Sequence, residues 1–308
     1  MEFRHLRYII AVAEEGHITR AAERLGIQQP PLSRLIKKIE HKIEVQLFRR
    51  VRGGVELTDA GRIFLDGARA TFASLDRTLE SARRTARGEE GKISVGCTSA
   101  AAYHPLVTRV VREFREIFPR VTVTLTEGKR AEMIEGVERG RLDAAFSRSS
   151  IAELERLAFR PLLDEHLLLD EPLVAALPEG HALARRRAKV ALTLKELSDE
   201  TFVSVSGRGP MLQYIFAACH AAGFNPRVGQ EAANVIAILP LVAAGIGIAV
   251  VPASLQHMKI LGVAYRRLTG SRQLKVPLSL ASRRGDTSAV VRQFVSLTRR
   301  RAKDYPAV

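Results

Sequence analysis

The sequence predicts an α/β protein in which a winged helix-turn-helix head is followed by a long helix and then by a two-lobed domain of alternating strands and helices. Three observations lead to this fold class. Short helical patterns broken by glycines fill the first 57 residues, an apolar stripe at helical spacing follows Thr58, and strand and helix patterns alternate from Lys92 onward. At 308 residues the chain is long enough for about two domains.

The head begins with a short apolar helix that ends at Gly16, and a second short helix rich in small residues follows it. A third helix is predicted to begin at Gln29, and it leaves Lys37, Lys38 and Lys42 on its outer face. Two helices joined by a tight turn, the second one basic on its exposed side, are typical of a helix-turn-helix motif that enters the major groove of DNA.

Seven residues of the head are predicted to contact DNA. The first two turns of the third helix should reach base edges or phosphates. Two arginines flank Val51 just before a pair of glycines, which predicts the tip of a wing that faces phosphates or the minor groove. The predicted contacts are Gln29, Pro30, Ser33, Arg34, Lys37, Arg50 and Arg52.

A long helix is predicted to follow Thr58, which is suited to the N-cap position, with Asp59 favourably placed in the first turn. Its apolar stripe is of the kind that pairs with another helix. Nothing within the head covers that stripe fully, so we expect it to dimerise with its copy in a second chain. Packing on the C-terminal domain of the same chain is the alternative, and residues 87–91 are predicted to form a hinge. The stripe consists of Phe64, Ala68, Phe72, Leu75, Leu79 and Ala82.

Strands and helices alternate after Lys92, and the order of the first unit predicts a parallel sheet with helices on its faces. A βαβαβ unit is followed by a second unit, and a late strand and a last helix return the chain to the first lobe. The first unit has predicted strands at 93–97, 121–125 and 142–146 and helices at 103–118 and 131–139. The rest has strands at 173–177, near 202, at 248–251 and at 277–281, and helices near 210–222, 233–243 and 288–301.

Ligands of open α/β sheets lie beyond the carboxyl ends of the strands, at the switch point between units. Polar side chains follow several of the predicted strands at that edge. Together they are suited to hold a carboxylate by charge-assisted hydrogen bonds, with one end bidentate on an arginine. For each residue alone, a solvated arginine or a helix-capping serine is the alternative. The predicted ligand-binding residues are Thr98, Ser99, Arg130, Arg148, Ser204, Ser206 and Gly207, with Lys129 and Arg208 beside them.

Composition narrows the functional class. The formal net charge of +15 favours polyanionic partners, but residues 91–308 carry 31 Lys and Arg against 20 Asp and Glu. Most of the excess charge therefore lies outside the head, where solvating surface is favoured over a second nucleic-acid site.

Cys97 and Cys219 give neither a disulfide framework nor a zinc site. Because no secretory signal and no apolar run of about 18 residues is present, we expect a soluble, cytoplasmic protein.

Catalysis is not expected. Gly245 and Gly247 match two glycines of a dinucleotide fingerprint, but the third is missing and no strand precedes them. No nucleophile elbow, metalloprotease or phosphate-loop motif is present, and we expect neither a cofactor nor a metal. A transport-type solute-binding protein shares the two-lobed fold, but it would need a signal peptide and would lack the head.

Four segments of the head occur together at the spacing of one protein family. They are Ala21-Ala22-Glu23-Arg24-Leu25, Gln29-Pro30-Pro31-Leu32-Ser33, Leu47-Phe48-Arg49-Arg50 and Leu57-Thr58-Asp59-Ala60-Gly61. With these segments the chain resembles the LysR-type transcriptional regulators over its whole length. The resemblance implies a winged helix-turn-helix domain at 1–58, a linker dimerisation helix and hinge at 59–90, and a periplasmic-binding-protein-like effector domain at 91–308. Lobe 1 of that domain would span about 91–168 and 269–308, and lobe 2 about 169–268.

Residues 1–8, Pro30-Pro31 and Val251-Pro252-Ala253-Ser254 are most similar to the members of the family that control aromatic-compound degradation and respond to muconates or benzoates. In that group the effector contacts correspond here to Ser99, Arg148 and residues 204–207. Arg130 stands where the group often has threonine, which implies an extra positive charge and a preference for a dianion or for another ligand. Arg160 is a weaker candidate, at a secondary apolar pocket.

The resemblance thus implies a regulator whose promoter binding or activation responds to a small, aromatic-derived carboxylate between the lobes. The implied partners are double-stranded promoter DNA, this effector, RNA polymerase and further copies of the chain in a dimer of dimers, with no membrane. We expect an activator, with repression as the alternative. A thiol-redox or other small-ligand sensor of the same fold is the alternative, although residues 204–209 lack the cysteine that such redox sensors carry.

Several positions depart from the family pattern. Arg49 replaces a usual acid, which implies a more basic wing. His17 and Gln28 replace usual serine caps and Glu44 replaces a usual glycine, so we expect a less stable head, at about 1 kcal/mol for each lost cap. Residues 162–172 contain Leu-Asp-Glu twice, as in a short local duplication at the lobe boundary, which makes the hinge geometry there hard to predict.

Overall fold

The computed structural model describes residues 1–148, 163–187, 190–207, 209–269 and 274–305, so that Arg160 and Arg208 lie outside the described residues. The chain divides into two compact units, Met1–Arg83 and Arg84–Val308. Within the described ranges, none of the helices is both long and apolar enough to cross a bilayer.

The first unit has the predicted helix-turn-helix and wing. Its elements are α1 (Phe3–Glu15), α2 (Ile18–Arg24), α3 (Gln29–Ile43), β1 (Phe48–Val51) and β2 (Gly54–Leu57). The helices pack around a small apolar core that includes Ile9, Val12, Ala21, Leu32 and Leu47.

Glycines let the hairpin approach the end of α1. A Cβ atom at Gly54 would lie 2.2 Å from the carbonyl oxygen of Gly16, and that oxygen accepts a hydrogen bond from the Val55 N–H at 2.9 Å. A side chain at position 54 would therefore push the wing away from the helices.

Glu40 ties α3 to the wing. Its Oε1 accepts hydrogen bonds from the backbone N–H groups of Leu47 at 2.8 Å and Phe48 at 3.0 Å. Charge-assisted bonds to two consecutive N–H groups fix where β1 starts relative to the recognition helix. On the inner face of α3 the side chains of Leu32 and Ile36 are buried, which leaves the basic side outward.

The expectation of a missing cap at His17 is wrong. The Nδ1 atom of His17 accepts a hydrogen bond from the Thr19 N–H at 3.2 Å, so the imidazole caps α2 as a serine hydroxyl would. Gln28 makes no side-chain cap bond, but the second and third residues of α3 are Pro30 and Pro31. Prolines have no N–H for a cap to satisfy, so little stability is lost at Gln28.

The departure at Glu44 does carry a cost. Glu44 ends α3 in the left-handed conformation with a φ of 56°, which costs a residue other than glycine about 1–2 kcal/mol. Thr58 is confirmed as the N-cap of the long helix α4 (Asp59–Arg87), because its Oγ1 accepts a hydrogen bond from the Gly61 N–H at 2.9 Å.

The second unit begins with the predicted βαβαβ order. Its first elements are β3 (Glu90–Cys97), α5 (Ser99–Ala102), α6 (Pro105–Ile117), β4 (Arg120–Glu127), α7 (Arg130–Glu138) and β5 (Ala144–Arg148). Strands β4 and β5 both pair with β3 in parallel, as predicted, so their carboxyl ends meet at one edge. Strand β3 begins at Glu90, three residues before the predicted start and inside the predicted hinge.

The remaining elements complete two lobes. They are β6 (Leu163–Pro178), β7 (Leu192–Thr193), β8 (Thr201–Val205), α8 (Pro210–Ala221), β9 (Arg227–Ala232), α9 (Val235–Ala243), β10 (Ala249–Pro252), β11 (Val263–Thr269), β12 (Lys275–Arg283) and α10 (Ala289–Lys303), with 3-10 turns at Leu194–Leu197 and Ala253–Met258. The strand order is β4-β3-β5-β12-β6-β11-β7, with β10 also on β6, and β8 and β9 pair separately.

Each lobe has its own core. In lobe 1 the ring of Phe294 from α10 lies edge-on against Phe114 of α6 and Phe146 of β5, with centroid separations of 5.1 and 6.0 Å. In lobe 2 the side chains of Leu173 and Phe202 belong to a second buried cluster.

Strand β6 runs through both lobes as one segment of 16 residues. Residues 163–172 pair with β12 and residues 173–178 with β10 and β11. The two Leu-Asp-Glu segments therefore lie in a single strand. Between them the register shifts by one residue at Leu168, which is a β-bulge.

The capping analysis gives the first testable prediction. His17→Ala should lower the free energy of unfolding of residues 1–83 by about 1 kcal/mol, because it removes the only side-chain acceptor at the α2 N-terminus in the described chain. Gln28→Ser should change that free energy by less than about 0.5 kcal/mol, as expected for a surface substitution that gains no bond. Urea unfolding followed by circular dichroism measures both, and His17→Asn, which keeps an acceptor, is the control. Stabilisation by Gln28→Ser as large as the His17→Ala loss would contradict this account.

Candidate functional site

The predicted DNA contacts share one surface of the head. Gln29, Pro30, Arg34 and Lys37 are exposed on the first turns of α3, and Ser33 beside them is half-buried. Arg34 Nε donates a hydrogen bond to the Pro30 carbonyl at 3.4 Å, so its guanidinium lies along the helix.

Arg50 and Arg52 lie on the hairpin, where both are exposed and neither makes an ion pair with a described residue. Arg49, which the sequence predicted to make the wing more basic, has a carboxylate partner on the same hairpin. Arg49 stands opposite Glu56 in the β1–β2 register and forms an ion pair with it at 3.0 Å, so its charge is offset across the hairpin.

Four of the predicted ligand-binding residues meet at the carboxyl edge of the sheet. Thr98 and Ser99 follow β3, Arg130 begins α7 after β4, and Arg148 ends β5. Ala100, in the same short helix as Ser99, packs in one buried cluster with lobe 2 residues that include Val203, directly before Ser204. The strand ends of the two lobes therefore face each other across α5.

The sequence predicted that Arg148 presents a free guanidinium to an open cleft. The structure shows instead that this guanidinium is buried and paired. Arg148 is 4% exposed, and its Nη2 donates to Oε2 of Glu171 on β6 in a short ion pair. Its Nε donates to the Ala100 carbonyl at 3.4 Å and its Nη1 to the Val276 carbonyl at 3.5 Å. An isolated buried guanidinium is costly, so a carboxylate from the chain itself neutralises it.

Glu171 is the centre of this buried cluster. Besides Arg148, it accepts a short hydrogen bond from the Ser254 N–H through Oε1, and His104 Nε2 lies 3.7 Å from its Oε2. Burial, reinforced by the Arg148 charge, lowers the pKa of His104 from 6.5 to about 4, so the imidazole is neutral near pH 7. Its Nδ1 accepts the Leu106 N–H at 3.1 Å and caps α6.

Arg130 has a counter-charge as well. Its Nη1 donates to Ser147 Oγ in a short bond, and its Nη2 lies 3.5 Å from Glu165 Oε2. Ser279 links the two partners, since its Oγ lies 3.1 Å from Ser147 Oγ and donates to Glu165. The predicted excess positive charge at Arg130 is therefore balanced, and the preference for a dianion that rested on it is not supported.

The two counter-charges come from the two Leu-Asp-Glu segments. Glu165 ends the first and pairs with Arg130, and Glu171 ends the second and pairs with Arg148. Neither glutamate was predicted as a site residue, nor were His104 and Ser254. The signal that could have found the glutamates was the near-duplication, because it places two carboxylates on the strand beside the predicted arginines.

The predicted ligand-binding residues of lobe 2 are two serines and a glycine, which offer small side chains and backbone groups. Ser204 is 6% exposed and lines a small cavity of about 20 Å³, enough for one water molecule. Ser206 is exposed, and its N–H and Oγ both donate to the Ala232 carbonyl, at 2.8 and 3.2 Å. Gly207 is exposed with a φ of 93°.

Two hydroxyls near the Arg148–Glu171 pair lack partners. Thr98 Oγ1 and Ser254 Oγ are both inaccessible to solvent and make no hydrogen bond to any described residue. Thr98 lies two residues from a carbonyl bound by Arg148, and Ser254 is bound to Glu171 through its N–H. Buried polar atoms are rarely left unsatisfied, so this cluster has capacity for a polar ligand or a water molecule.

The two cysteines are unsuited to redox sensing. Both thiols are buried, and burial raises the pKa of Cys97 and of Cys219 to about 11, with the Glu127 carboxylate as a second cause at Cys97. Reactive cysteines need the opposite shift, because the thiolate is the nucleophile.

Comparison with known proteins places both units. The family model "LysR substrate binding domain" matches residues 86–303, and the model "Bacterial regulatory helix-turn-helix protein, lysR family" matches residues 3–62. The HTH-type transcriptional regulator AlsR of Bacillus subtilis (strain 168) is 35% identical over 300 residues, covering 97% of this chain and 95% of that protein.

Solved structures agree with these matches. Full-length CbnR complexed with its target DNA superposes with a TM-score of 0.85 at 30% identity, covering 98% of this chain and 100% of CbnR. The BenM effector-binding domain with its effector benzoate gives a TM-score of 0.59 at 26% identity, covering 68% of this chain and 91% of that domain.

The buried His104 predicts a pH dependence of stability. The pKa of His104 is about 4 in the folded chain and 6.5 ordinarily, so between these values the unfolded chain binds a proton that the folded chain does not. The contribution of the neutral His104 to the free energy of unfolding should therefore be fully present above pH 6.5 and fall by about 3 kcal/mol as the pH drops to 4.

The matched variant is His104→Asn, since asparagine keeps an acceptor for the α6 cap and does not titrate. Its unfolding free energy, measured in urea at several pH values, should fall less steeply over this window. Parallel curves for the two proteins would show that His104 is not the group responsible.

Proposed function

The chain belongs to the LysR family of DNA-binding transcriptional regulators and is not an enzyme, and from that premise we propose that its effector is a small carboxylate held between the two lobes. The observation that carries this proposal is the pair of unsatisfied hydroxyls, on Thr98 and Ser254, beside the buried Arg148–Glu171 pair. A ligand carboxylate supplies acceptors for both hydroxyls and for an arginine.

The chemistry of the cluster favours one carboxylate. Arg148 already uses its three nitrogens on Glu171 and two backbone carbonyls. Two carboxylates on one buried guanidinium would leave a negative charge uncompensated, so a ligand carboxylate that binds Arg148 would displace Glu171, at least in part. Because Glu165 balances Arg130, the described part of the cluster offers no second unneutralised arginine to a dianion.

An aromatic-derived carboxylate is the class we propose. Benzoate is the effector of BenM, a structural relative of this chain, and the apolar ring of a compact planar acid suits a junction where the buried Ala100 packs against lobe 2. Ser99, Ser204, Ser206 and Gly207 are proposed as further contacts, since they flank the same junction between the lobes.

The proposed mechanism is a shift between two arrangements of the lobes. Glu171 lies on β6, the strand common to both lobes, and its Oε1 also holds Ser254 in the turn after β10. Displacing Glu171 would loosen this tie and favour a second arrangement. The effector can shift that equilibrium only through its different affinities for the two arrangements.

On the DNA side, we propose that α3 contacts bases and phosphates of the major groove and that the wing contacts the backbone. This assignment uses the exposed surface described above, and the CbnR complex shows a relative of the same fold bound to DNA. The proposed contacts are Gln29, Pro30, Ser33, Arg34, Lys37, Arg50 and Arg52.

We also propose that the chain dimerises through α4, with a dimer of dimers as the active form. Within unit 1 the side chains of Leu75 and Leu79 remain 37% and 47% exposed on α4, so the end of the apolar stripe lacks a cover there. Effector binding would change how two pairs of heads engage promoter DNA and how RNA polymerase gains access, most simply as an activator. Such a role places the protein in the cytoplasm.

The test uses the double variant Arg148→Gln/Glu171→Gln, which removes both buried charges together and keeps side-chain volume. In the full-length wild type, benzoate at a hundredfold excess over its Kd should stabilise the fold by about 2.7 kcal/mol and so raise the unfolding temperature. The double variant should fold, keep its affinity for a DNA fragment upstream of its own gene, and show no such rise.

The control variant is Arg301→Gln/Glu113→Gln, which removes another arginine–glutamate pair of lobe 1, joined at 2.5 Å and away from the junction of the lobes. It should respond to benzoate as the wild type does. A normal response from the Arg148→Gln/Glu171→Gln protein would remove Arg148 from the site.

A further inference from the structure

A second concave surface lies in lobe 1, distinct from the junction of the lobes. It runs along α10 and is walled by the ends of β6 and β12, with a volume of about 480 Å³. We call it the α10 groove. A volume of this size is in the range of small-molecule sites.

Positive charge dominates the α10 groove. Five cationic side chains and two carboxylates line it, and both carboxylates have partners of their own. Asp164 pairs with Arg284 at 2.9 Å and Asp286 with Arg283 at 2.7 Å. The groove is therefore a surface of excess positive charge.

Of these cations, Arg283 has carboxylate partners and Arg292 donates to the backbone carbonyls of Asp286 and Thr287, whereas the other three have neither kind of partner among the described residues. Arg299, Arg300 and Lys303 are exposed, and none makes an ion pair or side-chain hydrogen bond with any residue that the structure describes. They lie within about 6 Å along the helix axis, at a rise of about 1.5 Å per residue. Their mutual repulsion is unfavourable in the absence of an anion, although the C-terminal end of a helix tolerates cations.

The walls of the groove are not those of an ordinary solvated face. Val291 is buried at its floor, Val295 is half-buried beside it, and the half-buried ring of His166 forms part of the opposite wall. Burial first, then the charge of Arg299, lowers the pKa of His166, which keeps the imidazole neutral near pH 7 and able to donate one hydrogen bond. Apolar floor, neutral donor and clustered cations together suit a small organic anion.

We propose that the α10 groove binds a small phosphorylated ligand, with its phosphate groups at Arg299, Arg300 and Lys303. A phosphate group carries up to two negative charges and several acceptor oxygens, so it matches three adjacent cations better than a single carboxylate does. This site is separate from the carboxylate site between the lobes and would give the regulator a second input.

Inorganic pyrophosphate is the probe, titrated calorimetrically into the full-length protein at constant ionic strength. The wild type should bind saturably, with one site per chain. Arg299→Gln/Arg300→Gln/Lys303→Gln should weaken binding at least tenfold. The control, Arg120→Gln/Arg139→Gln/Arg141→Gln, removes three exposed charges elsewhere in lobe 1 and should bind within about twofold of the wild type, as independent surface sites do.

Each other outcome overturns the proposal. No saturable binding by the wild type removes the ligand class, and equal weakening of both variants means that only net charge matters. If pyrophosphate does not bind but random-sequence duplex DNA binds more weakly to the Arg299→Gln/Arg300→Gln/Lys303→Gln protein than to the control, the groove serves nucleic acid instead.

Discussion

The buried ion pair between Arg148 and Glu171 is the interaction on which the effector domain depends. It joins the end of β5 to the middle of β6, and Glu171 extends the tie to Ser254 in the turn after β10. Removing one partner of such a pair costs about 3–5 kcal/mol, because the other charge is left uncompensated in the interior. In the proposed function an anion that reaches Arg148 takes over from Glu171, because two carboxylates on one buried guanidinium would leave a negative charge uncompensated.

One strand supplies the charge balance of the whole site. Glu165 and Glu171 lie on either side of the β-bulge at Leu168 and neutralise the arginines at the ends of the neighbouring elements. The buried arginines are thus neutralised by the chain's own carboxylates, whereas the hydroxyls of Thr98 and Ser254 make no hydrogen bond to any described residue. In the proposed mechanism the effector acid replaces the internal one, and this exchange is the two-state element that a ligand-controlled regulator requires.

Most of the fold was predictable because it depends on periodicity and on glycine and proline positions. The three helices of the head, the long α4 and the parallel order of β3, β4 and β5 all follow from such patterns. The hydrogen bonds and ion pairs that depend on a partner elsewhere in the chain were not predictable. The cap at His17 uses a ring nitrogen, and Arg49 meets Glu56 only because of the hairpin register.

The position of the site could be predicted from the sequence, but the ion pairs that neutralise its arginines could not. Strand ends led to Thr98, Arg130 and Arg148, and the structure brings these residues to one edge of the sheet. The counter-charges of the two arginines lie 35 and 23 residues further along the chain, on a strand whose register includes a bulge that sequence patterns do not reveal.

The most direct test of the central claim is the affinity of full-length Glu171→Gln for benzoate in chloride-free buffer. If an effector carboxylate takes the place of Glu171 on Arg148, this variant should bind benzoate at least tenfold more tightly than the wild type, and equal or weaker binding would contradict the account.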